Sequence, residues 1–415
     1  MVFVGVLGHG VVGSGVVEVL LKNKESIGKR AGKEVLVKRI LDLRDFPNLA
    51  YSGLFTKNAD DILNDPEISI VVEVMGGIEP AYEFTKRALE AGKFVVTSNK
   101  ELVAEHGAEL VSLAHKNQVD YLFEASVGGG IPIIRPLKQC LAGNNISEIT
   151  GILNGTTNYI LSEMKNKGKD FDQALSDAQA NGYAERDPSS DIDGIDAQRK
   201  IAILCSVAFE QQVSSKEIKT QGISSISKED MAYAKELGYV IKLIAQAQRS
   251  EEGISAMVSP MLLPETHPLA DVEDVFNAIL VKGDAIGDVM FYGRGAGKLP
   301  TASAVVGDII EAAKHPKNSS ETIVDNEACA TLLDTGNLLY KYYIRLKTKD
   351  QAALKNEISQ HMPSLDLYIS RDRSLSDQLV VITGPITEAD LEKIEDRLKK
   401  LNSVVDILNL IRISL

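Results

Sequence analysis

Near the start of the chain stands Val2-Phe3-Val4-Gly5-Val6-Leu7-Gly8-His9-Gly10-Val11-Val12-Gly13, and this stretch decides the fold of the first part. Its first six residues are apolar and largely β-branched, which predicts a buried strand. Gly8 then permits a tight turn, Gly10 lets the backbone approach a pyrophosphate, and Gly13 lets helix and strand pack closely. The stretch therefore predicts a dinucleotide site.

A helix is expected directly after this loop, from Gly15 to Lys24. Its N-terminus faces the phosphate charge, so Val11 and Val12 are expected at the cofactor. His9 occupies a variable position of the loop, and we predict that it belongs to the loop backbone and is not a catalyst.

Strands and helices continue to alternate beyond the loop, with strands expected at 35–43, 68–75 and 94–97 and a helix at 80–91. This alternation is typical of an α/β protein with a Rossmann-type doubly wound sheet, which binds ligands at the carboxyl ends of its strands. Two strand ends are followed by glycine or polar residues, which we predict to contact the cofactor: Gly76, Gly77, Ser98 and Lys100. Lys100 is also well placed for chemistry, although a lysine after a strand is more often a solvated loop charge.

The end of the second strand bears on the choice of cofactor. An acid there selects a free ribose 2′-hydroxyl, and an arginine accommodates a 2′-phosphate. Asp42 and Arg44 offer both groups on one face of the chain. Because Arg44 lies further into the loop, we predict NADP, with NAD as the alternative.

A glycine bend follows an expected apolar strand in residues 121–132. Its exposed carbonyls and Glu124 suit a small cation, but on these residues alone we favour a tight turn that needs left-handed glycines. Further on, Asn154-Gly155-Thr156-Thr157-Asn158 follows an expected strand, 149–153, and suits a polar substrate or a helix cap.

A second glycine-rich piece, residues 292–301, precedes an expected helix at 302–314. This loop suits closure over a cofactor or a simple connection back to the first domain. A linker is expected to begin at His315-Pro316-Lys317-Asn318-Ser319-Ser320.

Charged side chains are unusually dense from Asp187 to Lys200. Asp196 and Lys200 lie four residues apart at the start of an apolar run, so in a helix they share one face. A lysine held there against carboxylates is a candidate proton donor. The alternative is a capping turn followed by an ordinary ion pair.

The C-terminal part alternates as βαββαβ, which matches the ferredoxin-like unit. The expected elements are strand 342–347, helix 350–361, strands 365–370 and 378–383, helix 387–401 and strand 404–413.

Composition narrows the class of protein. The 415 residues leave room for two or three domains, and a net charge of −13 disfavours a nucleic-acid partner. We expect no membrane partner, because no run of about 18 apolar residues occurs and no basic segment precedes the apolar N-terminal strand. The three cysteines are widely spaced, which argues against disulfides and zinc and for a cytoplasmic protein: Cys140, Cys205 and Cys329.

Together these segments resemble homoserine dehydrogenase over nearly the whole chain. The central match runs through Ala178, Gly182-Tyr183, Glu185, Asp187-Pro188, Asp191, Gly194, Asp196 and Lys200. It is joined by Thr97-Ser98-Asn99-Lys100, where the family usually has alanine in place of Ser98, by Asn154-Gly155-Thr156-Thr157-Asn158, and by Gly295-Ala296-Gly297 before Pro300-Thr301-Ala302-Ser303-Ala304.

The resemblance implies NAD(P)-dependent interconversion of L-homoserine and L-aspartate 4-semialdehyde, in the biosynthesis of threonine, methionine and isoleucine. It implies that Lys200 is the proton donor and acceptor and that Lys100 is a second catalytic lysine. The substrate ammonium is then held by Glu185, Asp191 and Asp196. Other substrate contacts are expected at Asn154, Thr156 and Tyr183.

The resemblance also places Gly297 at the cofactor. It implies a monovalent cation, usually sodium, at Glu124 and the backbone carbonyls of Val127, Gly129 and Ile131, and so favours a cation over a simple turn at the glycine bend.

Three domains follow from the resemblance. They are a dinucleotide-binding domain at 1–125, with a return helix at about 300–335, an α+β substrate and dimerisation domain at 126–299, and an ACT-type regulatory domain at 340–415. We expect a homodimer or homotetramer. The alternative function is a non-catalytic amino-acid sensor on the same fold, which would have no need of Lys100 and Lys200.

The ACT-type part departs from its family in one loop. Such domains usually carry a Pro-Gly pair after an aspartate, where backbone meets an amino-acid ligand, but this chain has Asp350-Gln351-Ala352-Ala353. We therefore expect weak or absent threonine binding.

Overall fold

A computed structural model describes residues 1–314 and 330–414, which form two compact units. Unit 1 comprises Met1–Ile149, Arg199–Glu217 and Asn277–Thr331. Unit 2 comprises Thr150–Gln198, Ile218–Phe276 and Leu332–Leu415. The functional division into three domains stays a prediction, and the linker expected at 315–320 lies outside the described residues.

Unit 1 contains a six-stranded parallel sheet of order β3-β2-β1-β4-β5-β6, the order of a dinucleotide-binding doubly wound sheet. Its strands are β1 Val2–Leu7, β2 Val35–Leu41, β3 Phe55–Thr56, β4 Ile68–Glu73, β5 Phe94–Thr97 and β6 Tyr121–Leu122. The helices between them are α1 Val11–Lys22, α2 Lys24–Ala31, α3 Asp60–Leu63, α4 Ala81–Glu90 and α5 Lys100–Lys116. Nearly every residue of β1 and β4 is buried, as expected for strands covered on both faces.

The close packing of α1 on the glycine loop explains two of the glycines. Gly8 has a φ of +99°, which L side chains rarely adopt. A Cβ on Gly13 would lie 2.0 Å from the carbonyl oxygen of Gly8, so no other residue fits there. The loop therefore has the geometry that the sequence predicts.

Several element boundaries differ from the predictions. Helix α1 begins at Val11, not Gly15, because Gly13 and Gly15 are packing positions inside the helix and not the end of the loop. The strand expected across 121–132 ends at Leu122, and a 3₁₀ turn at Glu124–Ser126 follows. There the chain bends back, because the Glu124 carboxylate binds the amides of residues 133–135.

The later parts of the chain that belong wholly or mainly to unit 1 are two helices, a hairpin and part of a strand. They are α9 Ile195–Phe209, α11 Lys298–Lys314, the hairpin β11 Phe276–Gly283 and β12 Gly287–Arg294, and the start of β7 Ile146–Ile152. Helix α11 begins at Lys298, earlier than the expected Ala302, because Pro300 is tolerated in a first turn. The return helix is described as far as Lys314.

Unit 2 combines helices with a strand order of β9-β10-β16-β13-β15-β14, and β8 beside β10. Its helices are α6 Gly155–Lys167, α7 Phe171–Ala180, α8 Ser189–Ile192, α10 Lys228–Glu236, α12 Gln351–His361 and α13 Glu388–Leu398. Its strands are β8 Lys219–Thr220, β9 Tyr239–Ser250, β10 Gly253–Pro264, β13 Lys341–Thr348, β14 Asp366–Tyr368, β15 Gln378–Ile382 and β16 Val404–Ile413. The C-terminal elements follow the predicted βαββαβ order, with a ferredoxin-like strand order of fourth, first, third and second.

The C-terminal ferredoxin-like segment is built into unit 2. Strand β16 pairs in parallel with β10. Asp230 of α10 is fully buried and binds three side chains of β13 and β16. These bonds come from Arg345 Nε at 2.7 Å, Tyr343 Oη at 3.0 Å and Asn409 Nδ2 at 2.7 Å. The ferredoxin-like sheet therefore packs against α10 and β10 of the same unit.

Among the described residues, the search for an apolar helix long enough to cross a membrane finds none.

Candidate active site

The first part of the site is the glycine loop at the amino end of α1. No side chain caps this helix at Gly10, and no acidic residue lies in its first turn. Val11, its first residue, is 68% exposed. The free backbone amides and the helix dipole therefore offer a place for an anionic group such as a pyrophosphate.

Asp42 and Arg44 form an ion pair just beyond the end of β2. The guanidinium donates from Nε to Oδ1 at 2.9 Å and from Nη2 to Oδ2 at 2.8 Å. The amide of His9 also donates to Oδ2 at 2.9 Å. The hydrogen bonds from Arg44 hold the pKa of Asp42 well below its usual range. A ribose hydroxyl would have to share this carboxylate with Arg44.

His9 does more than the sequence predicts. Its ring is buried against Phe46 and Phe55 at centroid distances of 4.8 and 4.9 Å, and its Nε2 lies 3.2 Å from Tyr51 Oη. Burial lowers the pKa of His9. The loop after β2 folds back over the ring, so the His9 side chain contributes packing, and its exclusion from catalysis stays a prediction.

Two more predicted cofactor segments lie at the carboxyl edge of the same sheet. At Gly76 and Gly77 an added Cβ would meet no described atom within 4 Å, which leaves room for a ligand along this backbone. The Asn99 side chain donates to Gly77 O at 2.5 Å and accepts the amide of Leu102, so it caps α5. Lys100 is thus the first residue of a helix that is bonded to the glycine segment.

The two lysine-bearing helices of unit 1 are joined by an ion pair. Arg199 Nη1 lies 2.6 Å from Glu101 Oε1. These residues are the chain neighbours of Lys200 and Lys100, so the pair relates the two predicted catalytic positions to each other. Lys200 is only 8% exposed, and Asp196 lies one helical turn before it on α9, as the spacing predicts.

Predicted substrate residues of unit 2 meet at the amino end of α6. Asn154 Nδ2 donates to Asp191 Oδ1 at 2.7 Å and to Asp196 Oδ2 at 2.8 Å. Its Oδ1 accepts the amide of Thr157, so Asn154 both caps the helix and gathers the two carboxylates. The proposed alternatives of a cap and a polar binding group are therefore compatible.

The other predicted substrate residues, Thr156, Tyr183 and Glu185, differ in how they are bound. Thr156 Oγ1 donates to the carbonyl of Tyr183 at 2.7 Å, and the Tyr183 ring lies 4.9 Å from that of Tyr159. Glu185 is exposed, and its backbone carbonyl accepts a hydrogen bond from Gln179 Nε2 at 3.1 Å. The structure thus orders Thr156 and Tyr183 together, and presents Glu185 at the surface of unit 2.

Lys242, a buried lysine that contacts Asn158 of α6, was not singled out from the sequence. Lys242 is 1% exposed, and its Nζ donates to Val272 O at 2.5 Å and Asn158 Oδ1 at 3.1 Å. Asn158 in turn donates to the carbonyls of Val272, Asp274 and Phe276. The signal in the sequence is a single lysine within the apolar run Tyr239-Val240-Ile241-Lys242-Leu243-Ile244-Ala245.

The glycine bend offers a cation the acceptor positions that the Glu124 carboxylate leaves open. Glu124 is buried, and its oxygens accept the amides of Ile133 at 2.6 Å, Ile134 at 2.9 Å and Arg135 at 2.7 Å. A carboxylate offers about four acceptor positions, so about one remains for a ligand. The amide of Glu124 donates to Asp308, which also pairs with Arg135. Burial raises the pKa of Asp308 to about 7 against the effect of Arg135.

Gly129 explains why this bend needs glycine. It has a φ of +52°, and a Cβ there would lie 2.4 Å from Gly295 O. The glycine bend that contains Gly129 therefore packs directly on the glycine-rich piece at 292–301. The predicted cofactor residue Gly297 belongs to this piece and lies just before α11. The backbone carbonyls of Val127, Gly129 and Ile131 belong to this compact bend. Within residues 1–314 and 330–414, no group of three or more His, Cys, Asp or Glu side chains could hold a metal ion.

Comparisons with known proteins place this site in a family. The family model described as homoserine dehydrogenase matches residues 132–310, and the one described as homoserine dehydrogenase, NAD binding domain, matches residues 8–124. The homoserine dehydrogenase of Synechocystis sp. is 41% identical over 99% of each chain.

Solved structures agree. A homoserine dehydrogenase from Thiobacillus denitrificans is 40% identical, with a TM-score of 0.91 over 100% of this chain and 98% of that one. A hyperthermophilic archaeal homoserine dehydrogenase in complex with NADPH is 32% identical, with a TM-score of 0.66 over 76% of this chain and 99% of that one.

The six-stranded parallel sheet with its glycine loop and these matches define an NAD(P)-dependent oxidoreductase. With relatives at 39 and 41% identity covering 96 and 99% of its length, the chain belongs to the homoserine dehydrogenase family. It interconverts L-homoserine and L-aspartate 4-semialdehyde, and the comparisons favour this enzyme over the alternative of a silent sensor.

Lys242 provides a test of the buried cluster through the pH dependence of stability. Burial lowers the pKa of Lys242 from 10.5 to about 8. Between these values the unfolded chain binds the proton and the native protein does not, so native stability rises with pH across this window. We expect the unfolding free energy of the wild type to gain about 3 kcal/mol over that of Lys242→Met from pH 8 to 10.5.

The measurement is urea denaturation of both proteins at a series of pH values. Lys167→Met is the control, because this lysine of α6 is 58% exposed and should give a flat difference. A flat difference for Lys242→Met as well would contradict the burial of a titrating ammonium.

Proposed function

We propose that Lys200 exchanges the proton of the substrate C4 oxygen and that Lys100 stabilises the charge on this oxygen. When bound, the nicotinamide cofactor supplies the acceptor or donor of the hydride. Reduction of the aldehyde builds negative charge on oxygen, which nearby cations stabilise and a lysine protonates. The observation that carries the proposal is the Arg199–Glu101 ion pair, which joins the helices immediately beside both lysines.

Substrate recognition is proposed to depend on carboxylates of unit 2. Asn154 holds Asp191 and Asp196 through one amide group, and this concentrates negative charge at the start of α6. Such a cluster suits the ammonium of homoserine. Glu185 is proposed to add a further carboxylate, and Thr156 and Tyr183 to complete the polar contacts. In the biosynthetic direction the enzyme would supply homoserine for threonine, methionine and isoleucine.

NADP is the proposed cofactor, with contacts from the glycine loop at Gly8, Gly10, Val11, Val12 and Gly13, from Gly76, Gly77, Ser98 and Lys100, and from Gly297. The Arg44 guanidinium already occupies Asp42, which leaves this acid poorly placed to accept a free ribose hydroxyl. A 2′-phosphate would instead gain a cationic partner in Arg44. The NADPH complex of the archaeal relative is consistent with this choice.

A monovalent cation, sodium by the family resemblance, is proposed at the bend that contains Glu124, Val127, Gly129 and Ile131. The remaining acceptor position of Glu124 and the three carbonyls are all neutral or anionic oxygens, which hard cations prefer. Held there, the cation would brace the contact between Gly129 and the second glycine segment.

A homodimer or homotetramer is proposed, with β12 as a contact strand. It is the last strand in its sheet order, and its side chains of Met290 and Tyr292 are 42 and 54% exposed. Apolar residues on an unpaired edge strand favour association with another chain.

The ferredoxin-like segment is proposed to be an ACT-type domain that does not sense threonine. Asp350 accepts the amides of Ala352 and Ala353 at 2.9 and 3.0 Å, so the backbone donors of this loop are occupied. Gln351 Nε2 binds the carbonyls of Leu375 and Gln378, which holds the loop closed.

Lys200→Met tests the catalytic assignment. We expect turnover to fall by about 10²–10⁴-fold, the size of a general acid-base contribution, while the affinity for NADPH stays nearly unchanged. Steady-state rates and NADPH fluorescence titration measure the two quantities. Lys216→Met, at a 78% exposed lysine beyond the same helix, should keep full turnover. Undiminished turnover in Lys200→Met would remove this lysine from the mechanism.

Arg44→Ala tests the cofactor choice. A lost charged hydrogen bond is worth about 1.5–3 kcal/mol, so the NADP dissociation constant should rise about 10–100-fold. NAD should lose little, because the variant frees Asp42 for its 2′-hydroxyl. Direct titration with both cofactors decides, and Arg30→Ala at the exposed end of α2 should change neither. Equal losses for NADP and NAD would place Arg44 outside the site.

Threonine tests the regulatory segment. At subsaturating homoserine, millimolar L-threonine should inhibit weakly or not at all, since the loop amides are already bonded to Asp350. Initial rates and calorimetric titration of the full-length protein are the measurements. Micromolar binding accompanied by inhibition would show that the loop opens for the ligand.

A further inference from the structure

Glu73 is a fully buried carboxyl at the carboxyl end of β4 that the reaction does not use directly. Its Oε1 accepts the amide of Met75 at 2.8 Å, and its Oε2 accepts the hydroxyl of Thr97 at 2.6 Å. The amide of Gly76 and the side chain of Asn99 lie near enough to lower the pKa of Glu73 against the effect of burial. One carboxyl therefore connects the ends of two neighbouring strands.

These bonds lead in two directions. Through the amide of Met75, Glu73 fixes the residue that precedes the Gly76-Gly77 segment, where space is open for the cofactor. Through Thr97, whose Oγ1 also accepts the amide of Asn99 at 2.9 Å, it reaches the cap of α5. Lys100 is the first residue of that helix.

The surroundings of Glu73 suit a role in positioning, because the carboxyl is fully buried and accepts hydrogen bonds from two separate segments. Burial raises the pKa of Glu73, and hydrogen bonds from Thr97 and from the backbone oppose this shift. The pKa of Tyr121 on β6 is raised well above the usual value by burial and by the charge of Glu73. A carboxyl that accepts bonds from several elements in such a core restricts their relative positions.

We propose that Glu73 is a positioning residue, which sets the cofactor-binding backbone at Gly76-Gly77 and the start of the Lys100 helix relative to each other. A displacement of about 1 Å at a reacting group can cost about 100-fold in rate, so a single buried hub can control turnover. The turnover part of the proposal rests on the proposed role of Lys100, whereas the cofactor part does not.

Three variants separate the two directions. Glu73→Ala removes the bond from Met75 and the bond from Thr97. We expect the NADPH dissociation constant to rise about tenfold and turnover at saturating substrates to fall about 10–100-fold. The Michaelis constant for homoserine should stay within about threefold, because Asn154 and its carboxylates belong to unit 2. Thr97→Val removes the bond from Thr97 to Glu73 and the bond from Asn99 to Thr97, but keeps the bond from Met75. Turnover should therefore fall, while the NADPH dissociation constant should rise less than in Glu73→Ala.

Glu73→Gln is the conservative rescue. Its amide oxygen still accepts from Met75 and its amide nitrogen donates to Thr97, so both constants should stay within about threefold of wild type. Ile70→Val on the same strand is the stability control, since it deletes one buried methylene group and no polar contact. It should lower the melting temperature without changing either constant.

All constants are measured per folded site, by fluorescence titration of the full-length enzyme with NADPH and by initial rates. Wild-type NADPH affinity and turnover in Glu73→Ala would overturn the proposal, and so would a Glu73→Gln variant as impaired as Glu73→Ala. If Glu73→Ala does not fold, wild-type turnover in Thr97→Val has the same force. Lys100→Met tests the lysine separately: full turnover there would refute the role of Lys100, and the NADPH results would still decide whether Glu73 sets the cofactor backbone.

Discussion

The cofactor half of the protein depends on an absent methyl group at Gly13. With a Cβ only 2.0 Å from the carbonyl oxygen of Gly8, any other residue would push α1 away from the loop. The helix could then no longer direct its first amides to the same edge as the ends of β2 and β4. Because β1 is central in the sheet, the positions of Asp42 and Gly76 follow from the same contact. The lack of a Cβ at Gly13 thus brings the first amides of α1, the Asp42 carboxylate and the open space at Gly76 to one edge of the sheet.

Local pattern was sufficient for much of this architecture. The glycine loop and the βαββαβ order needed only neighbouring residues, and the final strand was predicted with its observed bounds, Val404–Ile413. Errors arose where a distant group decided the backbone. The strand expected across residues 121–132 ends early, because Glu124 collects amides from residues nine to eleven positions ahead. Glycines at positions 13 and 15 suggested a longer loop, whereas the contacts that they accommodate lie on other elements.

The site shows the same division between local and distant information. Residue types and the family resemblance indicated both lysines and the substrate carboxylates, but not the groups that hold them. Glu73 and Thr97 are 24 positions apart, and Lys242 and Asn158 are 84 apart. No local spacing relates such pairs. A usable signal does exist, since each buried charge interrupts or ends an apolar strand, as in Ile70-Val71-Val72-Glu73. A charge that a strand tolerates in its core is a reason to look for partners elsewhere in the chain.

The burial of Asp230 also bears on how this protein can change during evolution. Its three side-chain partners all belong to the C-terminal segment, so a chain that lost this segment would keep a carboxylate shaped for a guanidinium that no longer exists. Such a loss would be tolerated only after position 230 had become compatible with water or with a new neighbour. The segment and α10 therefore share one core, and an exchange of the segment between related chains would have to preserve a partner for the residue at position 230.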